Sequence, residues 1–166
     1  MMRSTIFSLA FLFLAASVSA AETIATDTFR LEINGDWRKQ ATFDPEQFAL
    51  LSRAKSVALT ISTTKFKESG VDLEWMAKKL AELRLKAEAA AAKDFDRKME
   101  IAEPRITKVD RGWHLQYFGQ DNTGRRFRYY GIVMPGKLMN IYAESPTANL
   151  KQLEEVLQEI FAGLQF

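Results

Sequence analysis

Apolar and polar residues alternate with a period of two in several stretches of this chain, the pattern of strands that bury one face of a sheet. The first stretch spans residues 28–33, and the second spans 56–63. Between residues 97 and 143 the alternation recurs four times, separated by short turn sequences rich in Gly, Asp and Asn. This region is predicted to form a four-stranded antiparallel meander, whose first strand is irregular at Pro104.

Apolar spacing and capping residues predict three helices. A short helix is expected to start at Asp44, with Pro45 in its first position, and to end near Arg53. A long helix is expected to start at Ser69, which has capping spacing to Asp72. Spacings of three and four give its predicted buried stripe: Leu73, Met76, Leu80, Leu83, Ala87 and Ala90. Charged residues are expected on its solvent face: Lys78, Lys79, Glu82, Lys86 and Glu88.

The last helix is expected to start at Ser145 as the cap, with Pro146 in the first helical position, and to end near Gly163. Its apolar stripe is long and regular, and it contains Leu150, Leu153, Val156, Leu157, Ile160, Phe161 and Leu164. This helix is therefore predicted to bury one complete face.

The faces of the meander predict how its strands pair. Keeping the apolar side chains together across the polar loop at 120–124 gives three opposed pairs: Tyr117–Phe127, Leu115–Tyr129 and Trp113–Gly131. The other face is apolar near Ile132, Met139 and Ile141. A sheet that is apolar on both faces must be covered on both.

The predicted fold class is therefore α+β, a three-layer α/β/α sandwich. An antiparallel meander sheet forms the middle layer, and the long central helix and the C-terminal helix cover it. Residues 28–166 are expected to form a single domain, preceded by a flexible segment at 21–27.

The first twenty residues have the organisation of a secretory signal peptide. Arg3 is basic, residues 6–16 are almost entirely apolar, and Val18-Ser19-Ala20 provides the small residues that a signal peptidase recognises. The apolar run is too short for a membrane span, which needs about 20 apolar residues. Residues 1–20 are therefore predicted to be removed by cleavage after Ala20 or Ala21, leaving a periplasmic protein without a stable membrane span.

Composition narrows the class of function. The 166 residues contain 23 basic and 21 acidic side chains and no cysteine. Because the charges nearly balance, nucleic acid is not an expected partner. His114 is the only histidine, and no acidic cluster has the spacing of metal ligands, so neither a metal nor another cofactor is expected.

No catalytic motif is complete. Ser52-Arg-Ala-Lys55 matches S-x-x-K, but the S-D-N and K-T-G sequences that accompany it in acyl-transfer enzymes are absent. The protein is therefore predicted not to be an enzyme. An unrecognised site remains a third hypothesis, which points to Ser52, His114 and Tyr130.

One strand face gathers polar side chains that could bind a ligand. The candidate binding residues on this face are His114, Gln116, Arg126, Arg128 and Tyr130, and they are joined by Arg125, which lies with Asn122 at the adjoining loop. Arginines beside a tyrosine can hold a carboxylate or a phosphate, and the same residue types are common at protein interfaces. A solvated strand face, a protein contact and a small-anion site are the three interpretations left open.

The order of elements resembles the PsbP-like and DcrB-like family of small exported domains. The resemblance lies in four short sequences: Phe29-Arg-Leu-Glu-Ile33 followed by Trp37, Arg111-Gly-Trp113, Arg128-Tyr-Tyr130, and Ile141-Tyr-Ala-Glu-Ser145 before an amphipathic helix. It covers most of the chain after the signal peptide. The resemblance implies a partner-binding or assembly-assisting protein with no shared catalytic site.

The functional hypothesis is a monomeric, non-catalytic periplasmic module that binds another protein. Its partner would be another envelope protein, or a toxin delivered into the periplasm, in which case the chain is an immunity protein. The alternative hypothesis is a carrier of a lipid or a small anionic ligand.

Overall fold

The computed structural model describes residues 22–42, 44–67 and 70–166. The predicted signal peptide at 1–20 lies outside these residues, and so does Ser69 of the predicted helix cap.

Eleven strands and two helices make up this part of the chain. The strands are β1 (Glu22–Ala25), β2 (Arg30–Ile33), β3 (Arg38–Gln40), β4 (Gln47–Ser52), β5 (Val57–Lys65), β6 (Met99–Ile101), β7 (Arg105–Val109), β8 (Gly112–Asp121), β9 (Arg126–Met134), β10 (Lys137–Ser145) and β11 (Leu164–Gln165). The helices are α1 (Leu73–Asp94) and α2 (Leu150–Gly163).

Eight strands form one antiparallel sheet in the order β3-β4-β5-β10-β9-β8-β6, with β7 also paired to β8. The predicted meander is confirmed as β6 to β10, and its first strand is interrupted at Pro104, between β6 and β7. The predicted strand at 28–33 instead joins a separate sheet, ordered β1-β2-β11.

The helices lie on opposite faces of the large sheet, which confirms the predicted sandwich. On one face, α2 and the small sheet close a core around Trp37, Leu59, Ile141 and Leu157. On the other face, Ala81 of α1 packs on a smaller core that consists mainly of aromatic rings. Burial of apolar surface on both faces is the main favourable contribution to folding.

The segment at 21–27, predicted to be flexible, contains β1. Ile24 is only 2% exposed and pairs with Leu31 of β2, so it belongs to the core. A strand that buries an isoleucine and completes a ladder is fixed by the hydrophobic effect and by its backbone hydrogen bonds.

The short helix predicted from Asp44 to Arg53 is wrong, because these residues form a turn followed by β4. Asp44 does accept a hydrogen bond from the backbone N–H of Glu46, at 2.8 Å, but its carbonyl then accepts from Gln47, which closes a turn. Strand β4 pairs with β3 on one side and β5 on the other. Tertiary pairing therefore overrides the local capping signal.

The predicted register between β8 and β9 is wrong by two residues. Tyr117 lies opposite Tyr129, Leu115 opposite Gly131, and Trp113 opposite Val133. The hairpin is tighter than predicted, because the Asp121 N–H donates to the Arg125 carbonyl at 2.9 Å. A shift of two residues preserves which side chains share a face, so the predicted faces are correct.

Helix α1 begins later than predicted and buries a different stripe. Asp72 is the cap, accepting from the Trp75 N–H at 3.0 Å, because Gly70 has a φ of +75° and cannot belong to the helix. Leu83 is 53% exposed, and Ala87 and Ala90 are also exposed. The buried side chains are mostly small, and they are Ala77, Ala81, Glu88 and Ala92. Small residues face the sheet because the side chains beneath α1 are large tyrosines.

Helix α2 has the predicted apolar stripe but a different cap. Asn149 and Gln152 form a reciprocal capping box, with hydrogen bonds of 2.9 and 2.8 Å. The predicted cap, Ser145, instead donates to the Ser56 carbonyl at 2.6 Å. Gly163 ends the helix as predicted, where an added Cβ would lie 1.9 Å from the Glu32 carbonyl oxygen.

Two leucine substitutions test this assignment of helix faces. Leu153 of α2 is fully buried, so Leu153→Ala is expected to lower the free energy of unfolding by about 2–5 kcal/mol. Leu83→Ala removes a mostly exposed side chain of α1 and is expected to cost less than about 1 kcal/mol. Urea unfolding followed by circular dichroism measures both, and equal losses would contradict the orientation of α1.

Candidate functional site

Each helix covers only part of its face of the sheet. Helix α1 packs mainly on β7, β8 and β9, whereas α2 packs mainly on β2, β9 and β10. Two surfaces are left open as a result. We call the open surface beside α1, over β4, β5 and β10, the α1 groove, and we call the open surface of β7 and β8 on the α2 side the β8 face.

The α1 groove consists of three adjoining hollows of about 510, 490 and 460 Å³. Arg84 and Tyr142 line the first and the second, and Arg97 and Arg125 line the first and the third. Glu144 lines all three. These hollows are in the size range of small-molecule sites, and together they make a longer depression.

The floor of the groove is polar because of strand alternation. In β5, Val57, Leu59 and Ile61 face the α2 core, which leaves Thr60 and Ser62 on the groove side. Asn140 of β10 lies beside them, and its side chain donates to Ser62 at 3.2 Å. Ala87 and Ala91 of α1 form part of the opposite wall.

A buried charge from α1 organises the middle of the groove. Glu88 is only 5% exposed, contrary to its predicted solvent position. Its carboxylate accepts from Arg84 at 3.1 Å and from the Tyr117 hydroxyl at 3.2 Å. A buried carboxylate is tolerated only when it is paired in this way. The signal in the sequence was the spacing of four from Arg84 to Glu88, in line with Ala81 and Ala92.

Aromatic rings form a continuous row beneath this pair. Tyr117 stacks on Tyr129 with ring centroids 4.8 Å apart, and Phe127 stacks on Tyr142 at 5.4 Å. The Arg84 guanidinium lies 4.8 Å from the centre of the Tyr129 ring. Burial raises the pKa of Tyr117, Tyr129 and Tyr142 well above its ordinary value. The Tyr117 hydroxyl donates to Glu88 and the Tyr129 hydroxyl donates to Asn140, whereas the Tyr142 hydroxyl accepts from Arg125.

Asp121 joins the end of the groove to the β8–β9 turn. Its buried carboxylate accepts from the Thr123 backbone and hydroxyl, from Arg125 Nε at 3.1 Å and from Arg97 at 3.4 Å. Arg125 also binds Glu144 and donates to Tyr142. Burial by itself raises the pKa of Asp121, but the hydrogen bonds from Thr123 and Arg125 lower it to about 2.

The serine and the lysine of the S-x-x-K sequence, Ser52 and Lys55, each make structural contacts with other residues. Ser52 is fully buried, donates to the Asp36 carboxylate, and accepts from the Lys55 N–H at 3.1 Å. The Lys55 Nζ instead binds Glu159 at 3.0 Å. The two side chains therefore hold turns together, and the lysine amine points to a different partner from the serine hydroxyl.

The structure separates the six predicted binding residues into three groups. Arg128 and Tyr130 hold α2, because Arg128 binds Glu154 at 2.6 Å and the Leu150 carbonyl at 2.9 Å, and Tyr130 donates to Glu154 at 3.2 Å. Burial and the adjacent Glu154 raise the pKa of Tyr130 to about 12. Arg125 lies on the opposite face of the sheet, in the α1 groove.

His114, Gln116 and Arg126 remain together on the β8 face. The side chains of all three are half-buried, and within the described residues they make no hydrogen bond or ion pair. Phe118 lies on the same face, 38% exposed. Burial lowers the pKa of His114, which favours the neutral imidazole. Asn122 of the loop accepts from the Lys98 N–H at 3.0 Å and is therefore a structural residue.

Neither metal chemistry nor a membrane helix is indicated in the described chain. Among residues 22–42, 44–67 and 70–166, no group of three or more His, Asp or Glu side chains could hold a metal ion. Neither of the two described helices is long and apolar enough to cross a membrane.

A known structure has this architecture although its sequence identity to this chain is low. The solution structure of cyanobacterial PsbP (CyanoP) from Synechocystis sp. PCC 6803 matches with a TM-score of 0.68 at 10% sequence identity, covering 91% of this chain and 95% of that chain. The chain has a PsbP-like fold. A crystal structure from Bacteroides thetaiotaomicron VPI-5482 matches with a TM-score of 0.45 at 12% identity, covering 82% of this chain and 44% of that chain. No protein-family profile and no curated protein matches the sequence.

The Asp121 carboxylate is expected to make this PsbP-like domain sensitive to acid. Its folded-state pKa, about 2, lies below its ordinary value of 3.8. The ionised carboxylate therefore stabilises the folded state above about pH 4, and this contribution is lost as the pH falls through 2. Between pH 5 and pH 2, the free energy of unfolding is expected to fall by about 2 kcal/mol more in the wild type than in Asp121→Asn. Urea titrations at both pH values measure the difference, and parallel losses would contradict it.

The two arginines of β9 are expected to respond differently to charge reversal. Arg128→Glu places a second carboxylate beside Glu154 and removes the donor to Leu150, so it should cost about 2–3 kcal/mol of stability. Arg126→Glu is the matched control and should change stability by less than about 0.5 kcal/mol. Urea unfolding of the two variants tests this, and similar losses would show that Arg128 does not hold α2.

Proposed function

We propose that this protein is a non-catalytic, exported accessory protein that binds a partner protein in the α1 groove. The observation that carries the proposal is the groove itself, in which Arg84, Arg97 and Arg125 are fixed by carboxylates at the edge of an open polar sheet face. The resemblance to the PsbP-like family, now matched in fold, supports an accessory role rather than a catalytic one.

The chemistry of the groove suits a protein interface. Arginine and tyrosine are enriched at interfaces, and anchors that are already held in place lose little side-chain entropy on binding. Phe95, at the C-terminal end of α1, is 69% exposed and lines the same groove, with the Arg97 guanidinium 5.2 Å from its ring centre. It offers an aromatic anchor beside the fixed charges.

A non-catalytic role is supported by where the reactive groups lie. Ser52 and Lys55 are engaged with Asp36 and Glu159. The Tyr117 and Tyr142 hydroxyls are engaged with Glu88 and Arg125. His114 lies on the β8 face, on the other side of the sheet from the groove. Acyl transfer needs a nucleophile that a substrate can reach, and the Ser52 hydroxyl is fully buried.

The partner is either another envelope protein or a toxin delivered into the periplasm. An immunity protein would form a tight one-to-one complex with one toxin, encoded beside its own gene. An envelope accessory protein would bind more weakly and be dispensable in a culture without rivals. Periplasmic location itself depends on residues 1–20, and cell fractionation with N-terminal sequencing of the mature protein tests it.

Blocking the groove from α1 tests the proposal. Ala87 is exposed and lines the first hollow, so Ala87→Arg fills that space with little effect on the helix. The tagged variant should retain at least tenfold less of the partner from an envelope extract than the wild type, measured by quantitative mass spectrometry. Its free energy of unfolding should stay within about 0.5 kcal/mol of the wild type.

Ala90→Arg is the matched control. Ala90 is also exposed on α1, but it does not line the groove, so this variant should retain the partner at the wild-type level. The same set of proteins retained by all three forms would exclude the groove as the interface. If Arg126→Glu loses the partner while Ala87→Arg retains it, the interface lies on the β8 face and not in the α1 groove.

A carrier of a lipid or a small anion is the second candidate function. A separate feature favours it, namely an apolar hollow at the opposite end of the sheet from Asp121, beside the first residue of α1. This proposal does not depend on the α1 groove.

A further inference from the structure

The hollow at the start of α1, which we call the turn hollow, has a volume of about 640 Å³. Four separate parts of the chain enclose it: the start of α1, the β7–β8 turn, the β9–β10 turn and the C-terminal residue. Its apolar lining consists of Leu73, Val109, Trp113, Met134, Pro135 and Phe166. Its charged lining consists of Lys108, Arg111, Lys137 and Asp110.

The apolar lining is left open by the position of α1. Trp113 lies on the α1 face of β8, but the helix begins only at Leu73, so the indole is only partly covered. Phe166 is 59% exposed at the rim of the same hollow. Exposed aromatic surface inside a concavity indicates a ligand with an apolar body.

The charges around the hollow favour an anion. Three cations face one carboxylate, Asp110. In the part of the chain that the structure describes, Lys108 and Arg111 form no ion pair or hydrogen bond through their side chains. Lys137 donates to the Thr28 carbonyl at 2.9 Å and lies 5.1 Å from the centre of the Phe166 ring, which fixes one cation beside the apolar wall.

We infer that the turn hollow binds an anionic single-chain amphiphile, of which a long-chain fatty acid is the simplest example. The acyl chain lies against Trp113, Met134 and Phe166, and the carboxylate lies between Lys108 and Arg111. A hollow of this volume holds one chain of drug-like size rather than a multi-chain lipid. This inference rests on the carrier proposal and specifies the chemistry of the ligand that the protein would carry. It does not depend on partner binding in the α1 groove.

Quenching of Trp113 fluorescence tests the inference directly. Micromolar 9,10-dibromostearate, kept below its critical micelle concentration, should quench the tryptophan emission of the mature protein in a saturable one-to-one titration. Trp113→Phe should lose most of this quenching, whereas Trp75→Phe, which removes an exposed indole on α1, should keep it. Quenching that survives in Trp113→Phe would overturn the inference.

The charge of the head group is tested with matched variants. Lys108→Gln combined with Arg111→Gln should weaken dibromostearate binding at least tenfold. The control, Lys93→Gln combined with Lys151→Gln, removes the same charge at exposed positions outside the hollow and should leave binding unchanged. The methyl ester of the probe should bind at least tenfold more weakly than the acid to the wild type. Equal weakening by both pairs of substitutions, or equal binding of the ester, would overturn the inference.

Two further measurements distinguish the turn hollow from a membrane-binding surface and from the α1 groove. Binding only to vesicles of anionic phospholipid, with no quenching by the monomeric acid, would indicate a membrane contact and contradict the inference. The variant with Lys108→Gln and Arg111→Gln should capture the partner as well as the wild type does. Failure of the amphiphile site would therefore leave the groove proposal standing, and failure of the groove proposal would leave the amphiphile site standing. Circular dichroism and urea unfolding confirm that each variant is folded.

Discussion

The need to cover both faces of one antiparallel sheet determines the rest of this structure. Val57, Leu59 and Ile61 of β5 face one way, and Leu115 and Phe127 face the other, so apolar surface must be buried on both sides. The described residues provide two helices for an eight-stranded sheet, and each helix can cover only a few strands. The α1 groove, where partner binding is proposed, is open because neither helix covers that part of the sheet.

Ion pairs hold the chain together at the ends of the strands, where apolar packing against the helices ends. Asp121, Arg125 and Glu144 connect the β8–β9 turn to the end of β10, and Arg97 connects the segment after α1 to the same carboxylate. On the other face of the sheet, the ion pair between Arg128 and Glu154 holds α2 to β9. Because each of these charges is partly or fully removed from water, each needs its partner, and the pairs therefore position the chain as well as stabilise it.

Much of the fold followed from local pattern, and the errors have specific causes. The meander, the presence of the two long helices and the division of strand side chains between the two faces of the sheet were predicted correctly, because apolar periodicity depends only on residues close together in the chain. The short helix at Asp44 failed because its cap closes a turn before a strand with two partners. The predicted register of β8 with β9 was wrong because the loop between them is shorter than its run of polar residues suggested. The predicted buried stripe of α1 was wrong because alanines, and not leucines, fit over the tyrosines of the sheet.

By itself, the sequence determined that an antiparallel sheet with two apolar faces lies between helices, because the period of the apolar residues carries that information. The order of basic, apolar and small residues at the start of the chain predicts a signal peptide. It also provided the resemblance that the fold now matches. Only the tertiary structure decided which charges meet. It placed Arg125 in the groove, used Arg128 and Tyr130 to hold α2, and brought Glu88 to Tyr117. Such pairings join residues that are far apart in the chain, and they depend on helix rotation and strand register, which local patterns leave free.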